Sequence, residues 1–187
     1  MTSAIVVLFS FLFIICLLLA VFIGMLFIYI DLLYTLYLKV PMLGTNRSVI
    51  EKISRQIDLK NKKKFYDLGS GNGRLISFIA NKYPELECVG VEYNIGAYIQ
   101  AKFRNIFSKR KVEYQWKDFY KSNLSDVDVV YVYLFPPIID RLETKFLAEL
   151  KQGSMVIANS FPLKNKEPKV IIEGEEKKLN TLYVYEY

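Results

Sequence analysis

No charged side chain occurs in the first thirty residues, and from Ala4 to Ile30 only Ser10 and Gly24 interrupt an apolar run. As a helix rising about 1.5 Å per residue, that run measures about 40 Å, more than the roughly 30 Å hydrocarbon thickness of a bilayer. A cleaved signal peptide would show a basic start, a shorter apolar stretch and a small-residue cleavage site; none is present. The run therefore reads as a transmembrane helix. Tyr29, Tyr34 and Tyr37 gather where it gives way to Asp31 and Lys39, the level at which aromatic rings meet lipid headgroups.

Charge then sets an orientation. The chain carries 25 Lys and Arg against 19 Asp and Glu, a net +6, and all the basic residues and all the acidic ones except Asp31 lie from Lys39 onward. The positive-inside rule places that portion on the cytoplasmic side of a single-pass protein, or at the mitochondrial inner membrane in a eukaryote. A basic domain so tethered is drawn to anionic headgroups, which makes the bilayer itself an expected partner. The lysines are scattered rather than striped and no recognition motif accompanies them, so no nucleic-acid partner is expected.

Other chemistries are excluded by what the chain lacks. It has no histidine, which removes histidine-based catalysis and mixed-ligand zinc sites. Cys16 falls inside the apolar run and Cys88 inside an apolar stretch, so neither a disulfide framework nor a metal site is expected.

Beyond the anchor (1–40), "KVPMLGTNRSVIEKI" reads as a linker and a leading helix within 41–62. Ser48 and Glu51 have capping-box spacing, and Ile50, Ile53 and Ile57 would form an apolar face. A domain over 63–187 follows. Strand patterns at 63–68, 85–93, 111–117, 127–135 and 153–160 and in "KVIIEG" and "TLYVYEY" alternate, at first, with helical patterns at 74–83, 95–107 and 137–150. Such alternation predicts a mostly parallel sheet covered on both faces. Two connections, 118–126 and 161–168, are thin where a doubly wound fold would place helices, and either could instead join antiparallel neighbours.

The strand at 63–68 runs into Asp67-Leu68-Gly69-Ser70-Gly71-Asn72-Gly73. Glycines between a strand and a helix let the chain turn sharply and let a ligand touch the main chain. A dinucleotide fingerprint would read G-x-G-x-x-G, but Arg74 occupies its third glycine position, and the Lys and Ser/Thr of a P-loop are absent. Asp67 would repel a pyrophosphate and attract an ammonium group.

D-x-G-x-G-x-G resembles the signature of the class I, seven-strand S-adenosylmethionine-dependent methyltransferases, a likeness that extends over 63–187. It implies an α/β, doubly wound, mostly parallel seven-stranded sheet of Rossmann-like type, here with an N-terminal transmembrane helix. It also implies S-adenosylmethionine as cofactor, its methionine half held by Asp67 and by Gly69, Ser70, Gly71 and Gly73. Glu92, 25 residues past Asp67 and closing the second strand, could accept both ribose hydroxyls or be an ordinary strand-end charge. In the resembled family an acidic residue at Asp118 receives the adenine amino group and the next amide, that of Phe119, meets the ring. Tyr93 and Phe119 would pack the adenine faces or belong to the core. Arg74 either reaches the methionine carboxylate or faces solvent.

"YLFPP" ends the fourth strand, which in this fold lies beside the first at the switch point, so Phe135, Pro136 and Pro137 would stand across from the glycines and frame the acceptor. Pro137 is equally a common choice at a helix start. The apolar N-terminus, DLGSGNG, "VEYN", the "YLFPP" region and the ending "TLYVYEY" are together similar to the membrane-associated lysine methyltransferases of the ATP synthase c-subunit and the adenine nucleotide translocase. Asn72 stands where that group commonly has aspartate. The resemblance implies a membrane-anchored methyltransferase acting on a lysine of a membrane protein. The alternatives are methylation of a lipid, quinone or small molecule at the bilayer, and a non-catalytic membrane adaptor retaining the fold.

Overall fold

The computed structural model describes residues 2–38, 44–174 and 180–187, as two compact units, Met1–Pro41 and Met42–Tyr187. The first contains helix α1 (Thr2–Leu38). Its Ile5–Ile30 segment is long and apolar enough to cross a membrane, and every side chain there is exposed, the reverse of a soluble core helix. Of the aromatic girdle read from the sequence, Tyr29 is exposed on α1; Lys39 and the side chains of Asp31, Tyr34 and Tyr37 lie outside the described residues.

The second unit begins with α2 (Arg47–Gln56), whose Val49, Ile50 and Ile53 are buried. The expected capping box does not form. Asn46 is the N-cap, without a side-chain capping bond, and Ser48 already lies inside the helix. Glu51 is held instead by Arg47 (3.1 Å) and Arg55 (3.4 Å), one turn to either side; paired with guanidiniums, its carboxylate does not reach back to the helix start.

The remaining elements are β1 (Lys64–Leu68), α3 (Arg74–Lys82), β2 (Glu87–Glu92), α4 (Ile95–Ile106), β3 (Glu113–Trp116), β4 (Val129–Val132), α5 (Pro136–Glu149), β5 (Met155–Asn159), β6 (Val170–Ile172) and β7 (Leu182–Glu186). They form one seven-stranded sheet in the order β3-β2-β1-β4-β5-β7-β6. β1 to β5 pair in parallel, while β7 lies antiparallel between β5 and β6. Side chains alternate between two cores. Phe65, Val129, Tyr131 and Ile157 face one with residues of α2 and α3, whereas Leu68, Val130, Val132 and Val156 face the other with Ile139, Leu142 and Phe146 of α5.

The two thin connections stay thin. The first holds a single 3₁₀ turn (Phe119–Lys121), and the second has no helix. Both are parallel crossovers, and buried side chains replace the missing helices: Leu124 and Val127 from one, Leu163 from the other, pack on the α5 side. Glu143 of α5, itself buried, ties down the second by accepting from the Asn165 amide and side chain, each at 2.9 Å.

Candidate active site

The chain leaves β1 at Leu68 and turns into α3 through Gly69, Gly71 and Gly73, all at positive φ. The amides of Gly69 and Ser70 donate to the Val91 carbonyl at 2.9 and 3.1 Å, fastening the turn to β2. The glycines serve different ends. A Cβ on Gly73 would stand 2.1 Å from the Tyr114 hydroxyl, so Gly73 makes room for the protein's own ring. Nothing lies within 4 Å of where a Cβ on Gly71 would be, and its φ of +54° is one that side-chain-bearing residues seldom adopt. There the main chain is open to a ligand.

A cleft of about 220 Å³ adjoins this turn. Asp67, Gly69, Ser70 and Gly71 line it, as expected from the motif; so do Thr45, Gln100, Tyr131 and Tyr133, which the sequence reading did not single out. Tyr131 sits beside Asp67 by register between β4 and β1. Its buried hydroxyl meets the Thr45 hydroxyl at 3.1 Å and accepts from the Asn159 amide at 3.0 Å, while burial pushes its pKa far up and keeps it protonated. The alternation of "VVYVYLF" was a signal for Tyr131 and Tyr133, two residues apart on one face of a strand beside β1. Thr45 had no comparable signal, because it reaches the cleft from ahead of α2.

Asp67 is 3% exposed, and among the described residues no donor meets its carboxylate. Burial first, and then the Glu92 charge, push its pKa to about 8. The Ser70 hydroxyl is likewise buried without a hydrogen-bond partner. Such groups are costly unless something satisfies them.

Glu92 stands at the end of β2, where its two carboxylate oxygens accept from the Gly71 amide (2.8 Å) and the Asn94 amide (2.7 Å). Burial raises its pKa, and those amides oppose the rise. Asp118 caps the 3₁₀ turn by accepting from the Tyr120 amide at 2.9 Å, and the Phe119 ring packs on Tyr120 at 4.8 Å between centroids. Tyr93 is largely exposed, and its carbonyl accepts from the Trp116 indole at 3.0 Å. Phe135 is the N-cap of α5 and packs on Phe161, while Pro136 and Pro137 occupy the first positions of that helix, exposed. These three are not among the residues lining the cleft, and Leu134 is what approaches Gly69.

The strand order, the antiparallel β7 and an acidic residue ahead of a glycine turn at the switch point between β1 and β4 define a class I S-adenosylmethionine-dependent methyltransferase. The family model of the ANTKMT methyltransferase domain matches residues 67–170, and the chain belongs to that family.

Two curated relatives illustrate it. The chain is 28% identical over 150 residues to a protein-lysine N-methyltransferase of Saccharolobus islandicus, covering 78% of this chain and 92% of that one. It is 30% identical over 145 residues to the adenine nucleotide translocase lysine N-methyltransferase of Mus musculus, covering 76% of this chain but only 62% of the mouse protein. Among solved structures, an RNA methyltransferase from Salinibacter ruber in complex with S-adenosyl-L-homocysteine shares the fold, with TM-score 0.71, 23% identity and coverage of 77% and 93%.

Proposed function

We propose that this protein is a membrane-anchored lysine N-methyltransferase whose acceptor is a protein at the same membrane. The observation that carries the reading is the cleft where buried Asp67, which no donor meets among the described residues, adjoins the open main chain of Gly71. An ammonium group would satisfy the acid, and the unpartnered Ser70 hydroxyl offers a further polar contact. S-adenosylmethionine fits that set of groups and, when bound, supplies a methyl group activated by its sulfonium.

On this reading Asp67 and the amides of Gly69, Ser70 and Gly71 hold the methionine half, Gly73 letting the turn close. Glu92 takes the ribose hydroxyls with the lone pairs its two amide bonds leave open, and Asp118 takes the adenine amino group, with Tyr93 and Phe119 against the ring. Phe135, Pro136 and Pro137 frame the acceptor. Alignment of donor and acceptor alone can supply about 7–11 kcal/mol, so no dedicated base is needed. Apolar surroundings disfavour an ammonium, so a lysine entering them arrives neutral. The two curated lysine methyltransferases support the acceptor class, and the apolar Ile5–Ile30 helix supports the membrane.

Two measurements test the reading. Calorimetry on the purified protein should show S-adenosylmethionine binding that Asp67→Ala and Glu92→Ala abolish. Mass spectrometry of membrane proteins from cells with and without the gene should show a methylated lysine that depends on it. Absence of binding refutes the enzyme, and methyl-tritium label confined to lipids refutes the protein acceptor.

A further inference from the structure

Helix α4 leaves much of its apolar surface outside. Its fully buried contacts with the domain are the small residues Ala97 and Ala101, and Ile95 and Tyr98 are half-buried, while Ile99, Phe103, Ile106 and the C-cap Phe107 point to solvent. Ile99, Phe103 and Phe107 follow one another at spacings of four, with Ile106 three past Phe103, forming a single stripe, and Ile99, Phe103, Ile106 and Phe107 are 45%, 63%, 64% and 75% exposed. A soluble helix places such a stripe against its core. Phe103 and Phe107 pack edge to face with each other at 5.3 Å between centroids. Phe107 and Phe78 of α3 also line a groove of about 400 Å³ with Arg47, Arg74 and Arg104.

The charge within the segment that carries the stripe has one sign. Lys102, Arg104, Lys109, Arg110 and Lys111 are exposed, and from Ile95 to Val112 there is no acidic residue. A second copy of the chain would bring like charge against like charge. An anionic bilayer would accept both the aromatic side chains and the basic rim, as surface-lying amphipathic helices do.

We infer that the α4 face, from Ile99 to Lys111 and on to Phe78, docks the domain against an anionic lipid surface. Phe103, Ile106 and Phe107 enter the boundary between headgroups and acyl chains, and the lysines and arginines rest on lipid phosphates. This concerns the domain's own surface and does not depend on whether α1 spans.

The test uses the full chain with Cys16→Ser and Ile106→Cys, an environment-sensitive fluorophore on the new thiol, and reconstitution into vesicles of phosphatidylcholine alone or with phosphatidylserine. Cys88 is buried and stays unlabelled. A control label at Lys164→Cys reports from the loop leading to the opposite edge of the sheet. The expected result is a rise in emission at position 106 that requires phosphatidylserine, is reversed by high salt, and is absent at position 164. Lys102→Glu/Lys109→Glu/Arg110→Glu should weaken that response by about tenfold or more, at roughly the strength each basic residue contributes near such a surface. Should that variant misfold, the lipid and salt comparisons on the parent still decide. An equal signal in both vesicle types, no signal in either, or a rise in detergent that follows protein concentration would each overturn the inference, the last by assigning the face to self-association.

Discussion

The Glu92 carboxylate receives the Gly71 amide at 2.8 Å, so the tip of β2 grips the same turn that opens onto the cleft. In Glu92→Gln the side-chain carbonyl can still accept that amide, but the charge is lost. Glu92→Ala removes the grip altogether. We expect the glutamine variant, whose NH2 would face the Asn94 amide that the second carboxylate oxygen accepts, to weaken S-adenosylmethionine binding about tenfold to a hundredfold and to lose about 1.5–3 kcal/mol of stability, the contribution of a hydrogen bond to a charged group. The alanine variant should lose more of both. Calorimetry and thermal unfolding on the same preparations separate the two effects.

Asp67 presents a conflict between holding a ligand and holding the fold. At neutral pH folding must protonate the buried Asp67 carboxyl, which costs stability, and Asp67→Asn removes that cost. The variant should unfold at higher temperature when free, by about 1–2 kcal/mol, yet bind S-adenosylmethionine at least tenfold more weakly. A melting temperature that falls, with affinity retained, would refute this.

The pH dependence follows from the same residue. Folded and free, Asp67 keeps its proton up to about pH 8, whereas the ordinary value is 3.8. Folding therefore takes up a proton between those limits, and the free protein should lose stability as pH rises through that window. On the proposed reading an incoming ammonium favours the carboxylate, so binding at pH 7 expels the proton. Affinity should climb with pH by up to about tenfold per unit and level off near pH 8. Calorimetry in buffers of different ionisation enthalpy reads the released proton directly.

Gly71 and Gly73 should respond differently to alanine. At Gly73 the new methyl collides with the Tyr114 hydroxyl at 2.1 Å, and we expect a loss of about 3 kcal/mol or more, partly relieved by adding Tyr114→Leu. At Gly71 no neighbour is touched, and only the strain of positive φ remains, about 1 kcal/mol. Its effect should fall on cofactor affinity. Denaturant melts of the three variants, with calorimetry on the Gly71 one, check this.

Tyr131→Phe deletes the hydroxyl between Thr45 and Asn159 and leaves the buried Asn159 amide without that acceptor. The cost should be about 1–3 kcal/mol. Asn159→Leu in the same background should not recover it, because that change also takes away the acceptor of the buried Ser160 hydroxyl at 3.1 Å.

Much of this was legible because local signals and tertiary fate agree. The glycine turn, the strongly apolar run of "VVYV" and the Ile50, Ile53, Ile57 face are each decided within a few residues, and the last two are confirmed by burial. Ser48 and Glu51 show the opposite: the spacing was right for a cap, but Arg47 and Arg55 compete for the same carboxylate. Thr45 and Gln100 reach the cleft only through the packing of α2 and α4, which no local pattern encodes. Nor did the helical signal of α4 say which way its apolar residues would turn, because the alanines that face the domain look like ordinary helix formers.

Tyr114 joins β3 to the glycine turn. Its hydroxyl, which burial pushes up to about 12, touches the Gly73 carbonyl and the Ser77 hydroxyl, and its ring fills the space that Gly73 and Gly90 leave. A short edge strand is thereby wedged behind the floor of the cleft. Order at that edge and occupancy in front of it become one thermodynamic event, so whatever fills the cleft should slow hydrogen exchange along Glu113–Trp116.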